Sequence, residues 1–409
     1  MKLLVFAHTP PPHHGQSYMV KLMLDGLGGT GSSKSPIECY HINCRFSEEM
    51  EDIGELQLGK IWLLLRYCFQ AIWCRFRHGV KYFYYVPAPG KRVALYRDWI
   101  IMLLCRPFFK EVIFHWHAVG LGDWLDHEGF WFEKFLTRHL LRHPDLSIVL
   151  AIPNMRDALW FETRRLEIVP NGIPDPCPDF EQQVLPYRLA RTEARRRLLE
   201  SREPAISAEN APESVFKVLY MAHCTRKKGI FDTLEATALI NLCQPLPTVS
   251  DPGSLHHQPH VHLTVAGAFL DPAEQKEFEQ RIRQPDLKDH VTYAGFVSGD
   301  AKTQLLRSSD CLCFPTYYEA EGQPVNLLEA MAFGLPVITT RWRAIPEILP
   351  SDYPCFVAPR SPLEIAAAIR LLFTSDHAAQ MRLQFTTRFT EARHIQLMKC
   401  ALQEEPAIT

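Results

Sequence analysis

The sequence predicts an α/β protein made of two Rossmann-like halves, each a parallel sheet with helices on both faces. Three observations lead there. Short apolar strands alternate with helical stretches, as parallel sheets require, since each strand must be followed by a crossover before the next. The alternation runs in two series, parted by a segment dense in proline and turn formers. And 409 residues, 47% of them apolar and 22% charged, suit a globular chain of more than one core.

The first series is "KLLVFA", "KYFYYVP", "EVIFHWH", "LSIVLA" and "LEIVP". Between these strands lie "IWLLLRYCFQAIWCRFRHGV" and "DWIIMLLCRPFF", apolar and aromatic but interrupted by Arg66, Arg75 and Arg106 before they reach membrane-spanning length. They read as core helices, with peripheral contact at a membrane surface as the alternative. "NGIPDPCPDFEQQVLP" then leads into the charged stretch "RLARTEARRRLLESRE", read as a solvated linker helix. The second series is "FKVLYMA", "VHLTVAG", "HVTYAG", "CLCF" and "PVITT", and the chain closes with helical "AAQMRLQFTTRF" and "ARHIQLMKCALQEE". The divisions are a first domain over 1–175, a linker and domain entry over 176–214, a second domain over 215–375, and terminal helices over 376–409 that can pack back on the first domain.

Composition narrows the function. A formal charge of −2 argues against a general nucleic-acid binder. Twelve cysteines without a CxxC pair read as buried thiols in a reducing compartment, and "MKLLVFA" reads as a first strand rather than a signal peptide. A cytoplasmic protein is expected. His256, His257, His260 and His262 mimic metal-ligand spacing but stand in a proline-rich segment with Asp251 as the only acidic neighbour, so no metal site is expected.

In doubly wound sheets ligands bind at the carboxyl ends of the strands, so those ends carry the candidate chemistry. Gly15 opens a helix after the first strand, with Ser17 placed to cap it. His115 and His117 alternate around Trp116 at the end of "EVIF", where an imidazole suits proton transfer near neutrality. Asn171 and Gly172 suggest a turn with positive φ. Arg226, Lys227 and Lys228 precede Gly229 and a helix, a pairing of cations and helix start that suits a pyrophosphate. Gly267 and the Gly295–Phe296 strand end offer small residues and open backbone for a flat base. In "EAEGQPVNLLEAMAFGLPVIT" a helix is expected from about Pro324 to Phe333, placing Glu321 and Glu329 around its first turns. Cations for a diphosphate, carboxylates for hydroxyls and glycine-lined strand ends point to a nucleotide sugar.

This set resembles the retaining glycosyltransferases of family 4, group 1 enzymes of the GT-B architecture with two facing Rossmann-like domains and an interdomain cleft. The likeness is most specific from Val291 to Pro346 and extends to "VPNGIP", "RKKG" and the Gly15 loop. It implies that Glu321 and Glu329 form the E-x7-E pair, the first on the donor sugar and the second on the ribose. Lys228 is then the diphosphate lysine, His117 the histidine beside the anomeric centre, and Gly322, Gln323, Pro324 and Val325 backbone close to the diphosphate and sugar. The first domain takes the acceptor, a glycan or lipid-linked glycan, and the second takes the donor. His117 and Glu321 are the catalytic candidates; Gly15, Arg226, Lys228, Gly295, Phe296 and Glu329 join the donor site. Neither cofactor nor metal is implied.

The chain departs from the family pattern in three places. His14 precedes a single Gly15 where two glycines are common, His223 stands where an Arg is common and leaves Arg226 to supply the cation, and Arg343–Ala344 replaces a Gly-Gly before "IPE". Two other readings stay open: a nucleotide-sugar epimerase on the same fold, which would need no acceptor, and a non-catalytic nucleotide-sugar-binding protein, which would not need this full set of residues.

Overall fold

The computed structural model describes residues 1–11, 15–28, 36–45, 58–200, 215–242 and 260–403. The chain forms two units: Met1–Pro174 with Glu319–Val325 and Arg388–Thr409, and Asp175–Tyr318 with Asn326–Thr387.

The first unit runs β1 (Lys2–Phe6), α1 (Gly15–Leu27), β2 (Glu38–Ile42), α2 (Leu58–His78), β3 (Tyr82–Tyr85), α3 (Arg92–Cys105), β4 (Glu111–Trp116), α4 (Leu121–His127), α5 (Trp131–Leu141), β5 (Leu146–Val149), α6 (Met155–Trp160) and β6 (Leu166–Ile168). Its six strands pair in parallel in the order β2-β1-β3-β4-β5-β6. Strand alternation sorts the core into two layers. Val112, Phe114 and Trp116 of β4 pack with Leu64, Cys68, Ala71 and Cys74 of α2 and with Leu95, Ile101 and Met102 of α3. Ile113 packs on the opposite face with Val20 and Met23 of α1.

The second unit runs α7 (Leu185–Glu200), β7 (Val215–Met221), α8 (Ile230–Leu242), β8 (His260–Ala266), α9 (Pro272–Ile282), β9 (Val291–Gly295), α10 (Gly299–Ser308), β10 (Cys311–Phe314), α11 (Val325–Ala332), β11 (Val337–Thr340), α12 (Ile345–Ile348), β12 (Phe356–Val357), α13 (Pro362–Leu372) and α14 (Ala378–Arg388). Its strands are all parallel in the order β9-β8-β7-β10-β11-β12, which places the reversal of strand order between β7 and β10. The last helix, α15 (Glu391–Gln403), packs on α1 of the first unit, where Ile395 meets Met19 and Leu22. Two six-stranded parallel sheets in sequence are the expected GT-B pattern of two Rossmann-like domains.

Two strands lacked a sequence signal. β2 is an edge strand with Glu38 and His41 among its five residues, and β12 has only two residues.

The charged segment before β7 is not a solvated linker helix. Arg188, Arg191 and Arg195 recur along one face of α7 and are buried. Arg188 donates to the carbonyls of Phe333, Ser309 and Leu306, which lie at the ends of α11 and α10, where helices leave acceptors unsatisfied. Arg191 and Arg195 bind Asp310, whose carboxyl is held below its usual range because these two cations outweigh the opposing effect of burial. Nor does Gly172 adopt positive φ: a Cβ there would lie 2.3 Å from the Thr390 carbonyl oxygen, so glycine serves close packing. Among the described residues the cysteines are free thiols, all buried except Cys400.

Candidate active site

In the second unit the chain leaves β7, forms one 3₁₀ turn over Arg226–Lys228, and enters α8 through Gly229. Gly229 holds φ +80°, and a Cβ there would sit 2.6 Å from the Pro315 carbonyl oxygen. Glycine is thus required twice over, by handedness and by space. The Tyr317 N–H donates to the Lys227 carbonyl at 2.8 Å, which seats the basic turn on the loop leaving β10. β7 and β10 flank the reversal of strand order, where the following helices part to opposite faces and leave a crevice. Lys228 stands there, its Nζ 5.6 Å from the Phe314 ring centroid and 5.5 Å from that of Tyr318. His223 beside it has its pKa lowered by burial and then by the Lys228 charge, which keeps the imidazole neutral at pH 7.

Arg226 does not accompany Lys228. Its guanidinium donates to both carboxylate oxygens of Glu277 at 2.6 Å and lies over the Phe231 ring, so this cation is already matched within the protein.

The helix expected to carry the second carboxylate is α11, pinned to the end of β7 by Asn326 Nδ2 donating to the Met221 carbonyl at 2.8 Å. Glu329 follows on this helix, and its Oε1 accepts from Lys302 Nζ of α10 at 2.6 Å. A carboxylate held at one oxygen keeps lone pairs for further donors such as ribose hydroxyls. Nearby strand ends form a shelf of backbone. The Gly267 N–H donates to the Gly295 carbonyl at 2.7 Å, and a Cβ on Gly267 would lie 1.8 Å from the Ala222 oxygen. Gly295 has φ +65° with nothing near its missing side chain, and Phe296 beside it is exposed.

In the first unit the end of β4 carries the histidines. His115 Nδ1 lies 2.5 Å from Tyr84 Oη, and its ring packs 4.1 Å, centroid to centroid, from that of His117. Burial, then the neighbouring His117 and His394, push the His115 pKa well below its ordinary value. Trp116 faces the other layer, donating to Ser147 Oγ.

The segment before α11 is stitched to this strand end. A Cβ on Gly322 would lie 2.1 Å from the His117 carbonyl oxygen, so backbone rests directly on backbone. The Asn171 N–H donates to Gln323 Oε1 at 2.5 Å, and Asn171 Nδ2 donates to the Gln323 carbonyl at 3.0 Å. Gln323, read as a donor contact, therefore spends its side-chain oxygen on holding the loop. Glu321 is buried one residue before the His117 contact. Gly15 opens α1, where a Cβ would meet only Val325 Cγ2 at an ordinary 3.6 Å.

Structure thus gathers His117, Glu321, Gly322, Gln323 and Val325 in the first unit, and Lys228, Gly295 and Glu329 in the second. Sequence reasoning missed Lys302 and Tyr318, and it read Asn171 as a turn rather than as the clamp on Gln323. Arg343, which departs from the family's Gly-Gly, adopts φ +50°, a conformation that glycine would hold without strain. His262 bonds Thr292 and His260 stacks on His290, while His256 and His257 lie outside the described residues.

Residues 201–388 match the family model of glycosyl transferases group 1. The amylovoran biosynthesis glycosyltransferase AmsK of Erwinia amylovora is 26% identical over 177 residues, 42% of this chain and 39% of that protein. The putative colanic acid biosynthesis glycosyltransferase WcaL of Escherichia coli (strain K12) is 27% identical over 155 residues, 37% of this chain and 34% of that protein. The chain thus matches little more than a third of the length of these relatives. Among solved structures, Anabaena Alr3699/HepE in complex with UDP-glucose superposes with a TM-score of 0.63 at 16% identity, covering 98% of this chain and 99% of that one.

Proposed function

We propose that the protein is a retaining glycosyltransferase that moves a hexose from a nucleoside-diphosphate sugar to a hydroxyl of a glycan or lipid-linked glycan. The observation that carries this reading is Lys228 in its turn at the β7–β10 switch point, with Glu329 on the helix that follows β10. The matched family and the UDP-glucose bound by the Anabaena neighbour support a uridine donor as the first to test.

In this mechanism Lys228 and the N–H groups opening α11 stabilise the departing diphosphate, while Glu329 grips the ribose. Glu321 and the His117 region hold the donor sugar, with Gly322–Val325 as the backbone beside it. The acceptor oxygen attacks the anomeric carbon on the face that the diphosphate leaves, the anomeric C–O bond to phosphate breaks, and the acceptor proton passes to the departing phosphate oxygen. In this reading Lys228 and the α11 N–H groups supply the charge stabilisation of the leaving group, and no metal is invoked. The proposed location is the cytoplasmic side, where nucleotide sugars and acceptors meet.

The test is purified protein incubated with a panel of nucleotide sugars and acceptors, reading nucleoside diphosphate release and the anomeric configuration of the product by NMR. Wild type should release diphosphate with retention, and Lys228→Ala should lose about 10²-fold or more in kcat/KM. Sugar-nucleotide conversion without acceptor would favour the epimerase reading instead. Tight nucleotide binding without turnover across the panel would leave only a binding protein.

A further inference from the structure

The helix α2 is apolar on two opposite sides. Leu64, Cys68, Ala71 and Cys74 face the core. On the other side Trp62, Phe69, Trp73 and Phe76 are 67%, 69%, 56% and 69% exposed. With Arg66 they fall at positions 62, 66, 69, 73 and 76, steps of four and three that keep them on one helical face. A surface helix of a soluble domain presents polar residues there, so a ridge of four large aromatics along about 21 Å of helix calls for a partner.

The surface continues beyond α2. Phe76 meets Phe108 edge-on, and Arg75 donates to the Phe108 carbonyl, joining the ridge to the end of α3. Across α3, helix α5 exposes Trp131 and Phe135. Between the end of α3 and α5 opens a cleft of about 870 Å³, where Leu103 and Phe135 stand among Arg106, Arg138, Arg142 and Arg164.

Charge identifies the partner. From Leu58 to His78 the helix carries Lys60, Arg66, Arg75 and Arg77 and no acidic residue, in a chain whose overall formal charge is −2. In the cleft Glu162 pairs with Arg138 and Arg142, and Asp145 with Arg164, which offsets two of the four arginine charges. Aromatic rings interleaved with arginines suit the boundary where acyl chains meet anionic headgroups, since rings bury at that depth while guanidinium groups reach phosphate. A second copy of the chain laid on the same face would oppose these cations to themselves. Among the described residues no helix is long and apolar enough to cross a membrane, so contact would be from one side.

We propose that the α2–α3–α5 face docks the protein on an anionic lipid bilayer, with Trp62, Phe69, Trp73 and Phe76 entering the interface and the surrounding arginines binding headgroup phosphates. The surface lies within the first unit and its role does not depend on the glycosyl-transfer reading.

The experiment is flotation of the full chain with vesicles of phosphatidylcholine alone or with about a third phosphatidylglycerol, at low and high salt. Wild type should float with the anionic vesicles and release in salt. Arg66→Glu with Arg77→Glu should weaken binding by about 25-fold or more, at about fivefold per lost cation. Phe69→Ser with Trp73→Ser should weaken it about tenfold while leaving the thermal midpoint unchanged. Should that pair fail to fold, brominated lipid provides a readout on wild type: tryptophan emission should be quenched, and less so in Trp62→Phe/Trp73→Phe. Failure of wild type to float at low salt would overturn the proposal, as would variants that bind like wild type. A concentration-dependent dimer abolished by the serine pair, without vesicle binding, would assign the face to a second copy.

Discussion

The contact between Gly322 and the His117 carbonyl yields a prediction whose size can be worked from the geometry. A Cβ at residue 322 would lie 2.1 Å from that oxygen and 3.2 Å from its carbon, with the Leu150 side chain next at 3.5 Å. The near neighbour is backbone, so no rotamer change relieves the clash, and restoring ordinary contact requires about 1 Å of movement at one of the two segments. Overpacking of this kind costs about 1–3 kcal/mol, and Gly→Ala recovers roughly 0.4–1 kcal/mol by restricting the unfolded chain. Because Gly322 is not among the positive-φ residues, no conformational strain adds to this. Gly322→Ala should therefore lower stability by about 1–2 kcal/mol, a fall of about 1–2 °C in Tm for a chain of 409 residues.

Under the proposed glycosyl transfer, the larger effect falls on activity. The same 1 Å displaces Glu321 or His117, and misplacement on that scale costs about 10²-fold in rate. Gly59→Ala is the matched control: nothing lies within 4 Å of its missing Cβ and it sits in α2, so the same substitution there should stabilise by about 0.5–1 kcal/mol. The assays are differential scanning calorimetry and kcat/KM for nucleotide release. If Gly322→Ala matches wild type in both, the tight apposition of the loop to the β4 end is refuted.

Two further predictions follow from ionisable groups. Lys302→Met removes the donor that orients Glu329, and because both side chains are partly exposed the loss is modest, about threefold to tenfold in nucleotide Kd by calorimetry; an unchanged Kd would detach Lys302 from the site. His115 sets an acid limit. Its folded pKa lies well below the unfolded 6.5, owing first to burial and then to His117 and His394, so below pH 6.5 the unfolded chain binds a proton that the folded protein refuses. Stability should be full above that pH and fall as pH drops towards the folded pKa, by up to about 1.4 kcal/mol per pH unit. Urea midpoints measured down to about pH 5 should show this slope, and His115→Asn should reduce it, the remainder coming from His8, His41, His223 and His394, whose pKa values burial also lowers; a flat wild-type profile would refute the assignment.

What the sequence made legible was what neighbours in sequence decide. Ten strands could be read because buried parallel strands are unbroken apolar runs, and Glu321 and Glu329 stood out because nine consecutive residues of one loop and helix carry both. The partners of those groups could not be read this way. Lys302 reaches Glu329 across 27 residues, and Asn171 reaches Gln323 across 152, so each looked like an ordinary helix or turn residue until the fold brought it in. The arginines of α7 were misread for a related reason. A run of cations looks the same whether water or carbonyl oxygens solvate it, and only the ends of α10 and α11 show that Arg188 reads three unpaired acceptors.

The two faces of α2 extend the same point. Residues 61–76 are apolar nearly all round, a pattern that in a soluble protein means burial on every side, and on that rule the segment reads as a core helix. The topology denies it a second cover. Its sheet-facing stripe is satisfied by β4 and α3, while Trp62, Phe69, Trp73 and Phe76 remain exposed in the outer layer. A cavity or core function would have put small or polar residues outward, and mere solubility would have put acids between the arginines. Aromatic residues with cations and no acid fit a surface that is apolar beneath and anionic above, which is why the helix's outer face, rather than its core face, carries functional information.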